Sequence, residues 1–160
     1  MKKPLKALLG IIPLLVVGYF FLPHINGNSD AMMTYLEETD QFAISYNEII
    51  EQEWAIEDEE ELLVFTQEVS IPKMEQLLSD AEVYGQGISK NKLKAVHDIY
   101  NSSISKRIEA DKAWVKGDLA DIEALYEEAD SLYIQYEEEL EKLANKWAVE
   151  IVWEDKGENE

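Results

Sequence analysis

"DIEALYEEADSLYIQYEEELEKLANKW", Asp121 to Trp147, decides the fold. Its apolar residues fall at Ile122, Leu125, Ala129, Leu132, Tyr136, Leu140, Leu143 and Trp147, and the phase carries on to Ile151. Steps of three and four return to one side of a helix with 3.6 residues per turn. Acids fill the other side. Such a helix has to bury its stripe against other helices, which makes the chain all-α. The stripe marks Leu125, Leu132, Leu140 and Trp147 as core.

Working outward, "KGD" (Lys116 to Asp118) offers Gly117 as a C-cap, with Asp118 and Asp121 at the start of the next helix. Before it a third helix carries Leu93, Val96, Tyr100, Ile104, Ile108 and Val115, and "YGQGIS" (Tyr84 to Ser89) is the clearest turn in the chain. A second helix carries Leu62, Phe65, Val69, Leu77, Leu78, Ala81 and Tyr84. The acidic run from Glu57 to Glu61 opens it, with Asp58 and Glu61 at capping-box spacing, and Pro72 should kink it or restart it after Ser70. A first helix carries Met32, Tyr35, Leu36, Phe42, Ala43, Tyr46, Ile49, Ile50 and Trp54, preceded by a polar linker over 26–30 in which Ser29 or Asp30 can cap. No stretch reads as a convincing strand. Four helices of matched length predict an antiparallel up-down-up-down bundle over 31–153, with a disordered tail over 154–160. The apolar phase runs through Gly117 unbroken, so the alternative is that the last two helices form one rod of about 95 Å at 1.5 Å per residue.

The first 25 residues are of another kind. Lys2, Lys3 and Lys6 precede 16 residues without a charge, Ala7 to Leu22. The apolar members are Ala7, Leu8, Leu9, Ile11, Ile12, Leu14, Leu15, Val16, Val17, Tyr19, Phe20, Phe21 and Leu22. A basic start before an apolar run is the layout of an export signal or a signal anchor, here spanning 1–25. The lysines would hold the N-terminus in the cytoplasm and place the rest outside. "SDA" (Ser29, Ala31) offers small residues for cleavage, but nine residues beyond the apolar end, while the aromatic cluster Tyr19 to Leu22 suits a retained transmembrane helix. The anchor is the preferred reading, and a cleaved, secreted chain the alternative.

Charge bounds the partners. From Asp30 to Glu160 there are 11 basic residues against 34 acids, a net of −23. Such a surface repels nucleic acid, whose binding rests on Lys and Arg at phosphates, as well as anionic lipid headgroups and wall polymers, and favours basic proteins, cations or neutral surfaces. Residues 88–116 go against this trend with seven basic residues and three acids. Their cations Lys90, Lys92, Lys94, Lys106, Arg107, Lys112 and Lys116 either relieve the repulsion between acidic neighbours or form a docking stripe for an acidic partner or lipid headgroups; the first reading is preferred.

The chain has no cysteine, which removes disulfides, thiolate zinc sites and a lipid-bearing thiol. His97 and Asp98 are adjacent, but His24 is the only other histidine and no Glu-x-x-His occurs, so neither a phosphohydrolase nor a di-iron centre is expected. The acidic runs lack a calcium-loop pattern. Tyr100, Tyr126, Tyr133, Tyr136, Trp114 and Trp147 fall at helical spacing and are read as core and rim packing. No cofactor, metal or catalytic residue is expected. The chain is read as a single-pass, membrane-anchored, exported bacterial protein whose acidic bundle binds a protein partner as an accessory, adaptor or immunity-type factor. The alternatives are a secreted bundle binding a cation or small solute, and a hydrolase whose site the sequence does not reveal.

Overall fold

The computed structural model describes residues 15–18, 27–118 and 120–153. In order these form β1 (Leu15–Gly18), α1 (Gly27–Trp54), α2 (Glu59–Phe65), a π-helical turn (Thr66–Ser70), α3 (Ile71–Gly87), α4 (Asn91–Lys116), α5 (Ile122–Lys146) and β2 (Glu150–Trp153). Residues 59–87 run on as one helical rod, so the body is a bundle of four helical segments. Side-chain partners give their directions. Tyr35 meets His97 and, further along both helices, Glu53 meets Arg107, so α1 and α4 run the same way. From His97 to Lys112 the partners on α3 step back from Ala81 to Glu75. From Lys106 to Asp111 those on α5 step back from Glu128 to Tyr126. The order is up-down-up-down.

Local chemistry accounts for the breaks. Asp58 caps α2, accepting from the Glu61 amide at 2.9 Å. Pro72 stands just inside α3, and the π turn directly precedes it, closed by the Ile71 N–H bonding the Thr66 carbonyl. Proline lacks an N–H and crowds the carbonyl four residues back. The wider turn absorbs that conflict, so the helix swells there instead of ending. Gly117 has φ +74° and ends α4, with the Asp118 N–H on the Ala113 carbonyl and the Gly117 N–H on the Trp114 carbonyl. That left-handed cap lets α5 fold back along α4, and the single long rod does not form.

Three expectations change. "YGQGIS" is not all turn: α3 continues to Gly87, and Gly85 is buried inside it. A Cβ on Gly85 would lie 2.7 Å from His97 Cδ2, so this glycine serves the close approach of α4. The first turn of α1 takes in 27–30 of the expected linker, and Ser29 donates to the Trp147 carbonyl at 2.6 Å instead of capping. The core stripe of α5 is also rotated. Ile122, Tyr126, Ala129, Tyr133, Tyr136, Leu140 and Leu143 are buried in strict four-three alternation, whereas Leu125, Leu132 and Trp147 are half-buried. Tyrosine, which the leucine pattern concealed, forms the seam.

Strands occur where none was expected. β1 and β2 pair antiparallel, Val16 opposite Val152 and Val17 opposite Ile151. The missed signal in β2 is an alternation of period two, with Val149 and Ile151 buried and Glu150 and Val152 exposed. Leu15, Val16 and Val17, expected to be helical, are β-branched or apolar residues that suit a strand. The other residues of the apolar segment, the lysines at 2, 3 and 6, and the tail 154–160 lie outside the described residues, and among the described helices none is long and apolar enough to cross a membrane.

The turn into β2 predicts a stability change. Ala148 has φ +60°, with its N–H on the Asn145 carbonyl and the Val149 N–H on the Ala144 carbonyl. This repeats the cap at Gly117 with a residue whose Cβ disfavours it. Ala148→Gly is expected to raise unfolding stability by about 0.5–1 kcal/mol in a denaturant titration.

Candidate functional site

Besides tyrosines, five ionisable side chains among the described residues are buried inside the bundle: Glu53, His97, Arg107, Asp111 and Asp130. The Arg107 guanidinium, 1% exposed, is enclosed by α1, α4 and α5. Nη2 donates to Glu53 Oε2 at 2.8 Å and Nε to Asp111 Oδ2 at 3.2 Å. Tyr126 donates to Asp111 Oδ1 at 2.6 Å, and its ring lies 5.1 Å from the guanidinium carbon. Glu53 and Asp111 are buried as deeply as Arg107. The cluster sits where two apolar cores meet. A large one reaches Ile108, and a small one around Ala110, Trp114, Ile122 and Tyr126 closes the far end with Leu62 and Leu63.

Asp130 lies within electrostatic reach of this cluster. Both of its carboxylate oxygens are buried and make no hydrogen bond among the described residues. Burial raises its pKa from the ordinary value to about 6, which the Arg107 charge opposes and Glu127 reinforces. Tyr46 borders the same charges, and burial pushes its phenol upward.

From Tyr46 an aromatic column leads toward the other end through Tyr100, Tyr136, Tyr35 and His97. Tyr100 and Tyr136 have ring centroids 5.2 Å apart, and His97 stacks on Tyr100 at 5.9 Å. His97 is fully buried. The Ala81 carbonyl can only accept, so Nε2, 2.7 Å away, carries the ring proton. That leaves Nδ1 to accept from the Tyr35 hydroxyl at 3.2 Å, and the Tyr136 hydroxyl continues the chain 3.4 Å beyond. Burial lowers the His97 pKa against the pull of the Ala81 bond and Asp98. Burial also raises the phenols of Tyr35 and Tyr100 well above the ordinary value and that of Tyr136 to about 12, so all stay protonated at neutral pH. The column is a set of neutral groups in which Tyr136, Tyr35 and His97 are linked by hydrogen bonds, while the buried Tyr100 hydroxyl has no hydrogen-bond partner among the described residues and packs through its ring. The aromatic residues expected to pack do so: Tyr100, Tyr126, Tyr133, Tyr136 and Trp114 are buried and Trp147 is half-buried.

The seven cations of the stripe fall in different surroundings. Arg107 is interior. Lys106 pairs with Glu109 at 2.8 Å and Glu128 at 3.3 Å, Lys112 pairs with Glu75 at 2.6 Å, and Lys94 donates to the Gly85 carbonyl at 2.8 Å. Lys106 and Lys112 thus tie α4 to acids of α5 and α3. Lys90 lies beside Glu38 and Tyr84 in one shallow depression, and Lys116 beside Asp118 and Asp121 in another. Lys92 instead joins Lys142 and Lys146 of α5 around a groove of about 320 Å³ floored by Ala95, Val96, Ile99 and Leu143. The sequence signal was present as Lys142 and Lys146 one turn apart, but only the α4–α5 hairpin sets them opposite Lys92. Among the described residues no group of three or more acids and histidines converges on a metal position. Set against known protein families, curated proteins and solved structures, the chain matches none of them.

Two outcomes are expected from the buried charges. Removing one member of a buried charge cluster leaves the others uncompensated, so Arg107→Ala should cost about 3–5 kcal/mol in chemical denaturation. Asp130 has a raised folded-state pKa, so its contribution to stability is complete below its ordinary pKa and is lost as pH rises through about 6. Asp130→Asn should therefore melt higher than the parent at pH 7.5, with the difference closing toward pH 4. His97 works in the opposite sense, losing stability as pH falls below its ordinary value, but it is common to both proteins and cancels in the comparison.

Proposed function

We propose that this chain is a single-pass membrane-anchored protein whose acidic helical bundle stands outside the membrane and acts by binding a protein partner. The observation that carries the reading is the N-terminal layout, three lysines followed by 16 uncharged residues, placed five residues before α1 begins at Gly27. That arrangement suits a segment held in a bilayer with its basic end in the cytoplasm. The placement of charge supports a binding role. Arg107, Asp111, Glu53 and His97 are at most 2% exposed and are spent on holding the helices, which leaves a surface rich in carboxylates. A net charge of −23 beyond the anchor attracts basic protein surfaces. The reading assigns no catalysis to the chain.

The β1–β2 ladder bears directly on this reading. Leu15–Gly18 cannot pair with Glu150–Trp153 and at the same time form part of a helix in hydrocarbon, where every backbone group must be satisfied within the segment. Anchoring therefore requires β1 to leave β2. The ladder engages four of the 16 uncharged residues, and the bilayer offers burial to all of them.

Intact mass and fractionation of the full chain test the proposal. A carbonate-resistant membrane fraction retaining residues 1–31, with the bundle digested by protease added to whole cells, is the expected result. A full-length soluble chain would mean that β1 stays on the bundle. A chain that begins after Ala31 would mean export with cleavage.

A further inference from the structure

The groove between the start of α4 and the end of α5 is at odds with the charge of the rest of the molecule. Lys142 is tied to Glu139 at 2.9 Å and to Glu138 at 3.6 Å. Lys92 and Lys146 have no ion-pair partner among the described residues, while Lys106 and Lys112 on the same helix as Lys92 are each held by acids. Two ammonium groups without an ion pair thus flank an apolar floor that includes Val96 and Leu143, and the one carboxylate lining the groove, Glu139, is held by Lys142, in a protein of net charge −20. A lysine ammonium directs its donors at anionic oxygen as a compact point charge. The apolar floor beneath adds a surface that a free inorganic anion has no use for.

Position narrows the choice of anion. Ser29 in the first turn of α1 bonds the carbonyl of Trp147, the residue that follows Lys146. The groove therefore sits at the end of the bundle where the N-terminal segment joins it. We propose that the groove binds the phosphate of an anionic phospholipid headgroup in the membrane that the N-terminal segment occupies, with the glycerol and upper acyl carbons over the apolar floor. This rests on the membrane-anchor reading. The contact would seat one end of an acidic bundle on an anionic surface that otherwise repels it, since basic residues act on such a surface only within about a Debye length.

The test uses the full chain in nanodiscs of phosphatidylcholine alone or with phosphatidylglycerol, reading lysine acetylation by mass spectrometry. Lys92 and Lys146 should react about threefold or more slowly in the anionic discs, with the difference lost at high salt, while Lys116 at the opposite end is unchanged. Lys92→Gln, a change at an exposed position, should reduce the protection of Lys146. Equal labelling of Lys92 and Lys146 in both discs overturns the proposal and leaves the anchor standing. Equal protection by glycerol phosphate added to phosphatidylcholine discs also overturns it, in favour of a soluble phosphate ligand. A chain that does not float with either disc defeats the anchor reading, and the lipid proposal with it.

Discussion

The burial of Arg107 constrains the bundle more tightly than any apolar contact. A guanidinium taken out of water needs acceptors at hydrogen-bond distance, and the two that serve it come from different helices, Glu53 from α1 and Asp111 from its own α4. Tyr126 from α5 then bonds Asp111 and covers the guanidinium face. A shift of one helix by a turn would strand several charges at once, a cost well beyond that of misplacing a leucine. Apolar side chains tolerate exchange of volume and slight sliding. The ionic cluster does not, and it is the cluster that sets which turn of α1 faces which turn of α4 and α5.

The tyrosine–histidine column does related work toward the other end. The chain from Tyr136 through Tyr35 to His97 and the Ala81 carbonyl joins polar groups from four helical segments. Gly85 belongs to the same device, because the ring of His97 occupies the space a side chain there would need. The bundle is thus registered by polar groups at two levels along its axis, with the apolar cores around them providing the bulk of the driving force.

This use of polar residues shapes the functional reading. Groups that would be candidates for acid–base chemistry in an open cleft are enclosed and matched to one another. The groups available to partners are surface carboxylates and a few cations: Lys106 and Lys112 on α4 are neutralised by neighbouring helices, whereas Lys92 and Lys146 line one groove without an ion pair among the described residues.

The helical periodicity and punctuation of the sequence determined the class of fold, the cap at Asp58 and the disturbance at Pro72, and marked Gly117 as a candidate break that the unbroken apolar phase left open. These follow from interactions within a few residues of each other, so local spacing reports them. It could not report which of two adjacent apolar stripes on α5 faces inward, because Leu125 and Tyr126 are both acceptable in a core. The choice depended on whether a distant residue, Asp111, stood ready for the phenol. The burial of Arg107, the enclosure of His97 and the meeting of Lys92 with Lys146 were undetermined for the same reason. Each depends on partners far away in the chain, and only packing of the helices side by side set the charges, hydroxyls and open positions that meet there.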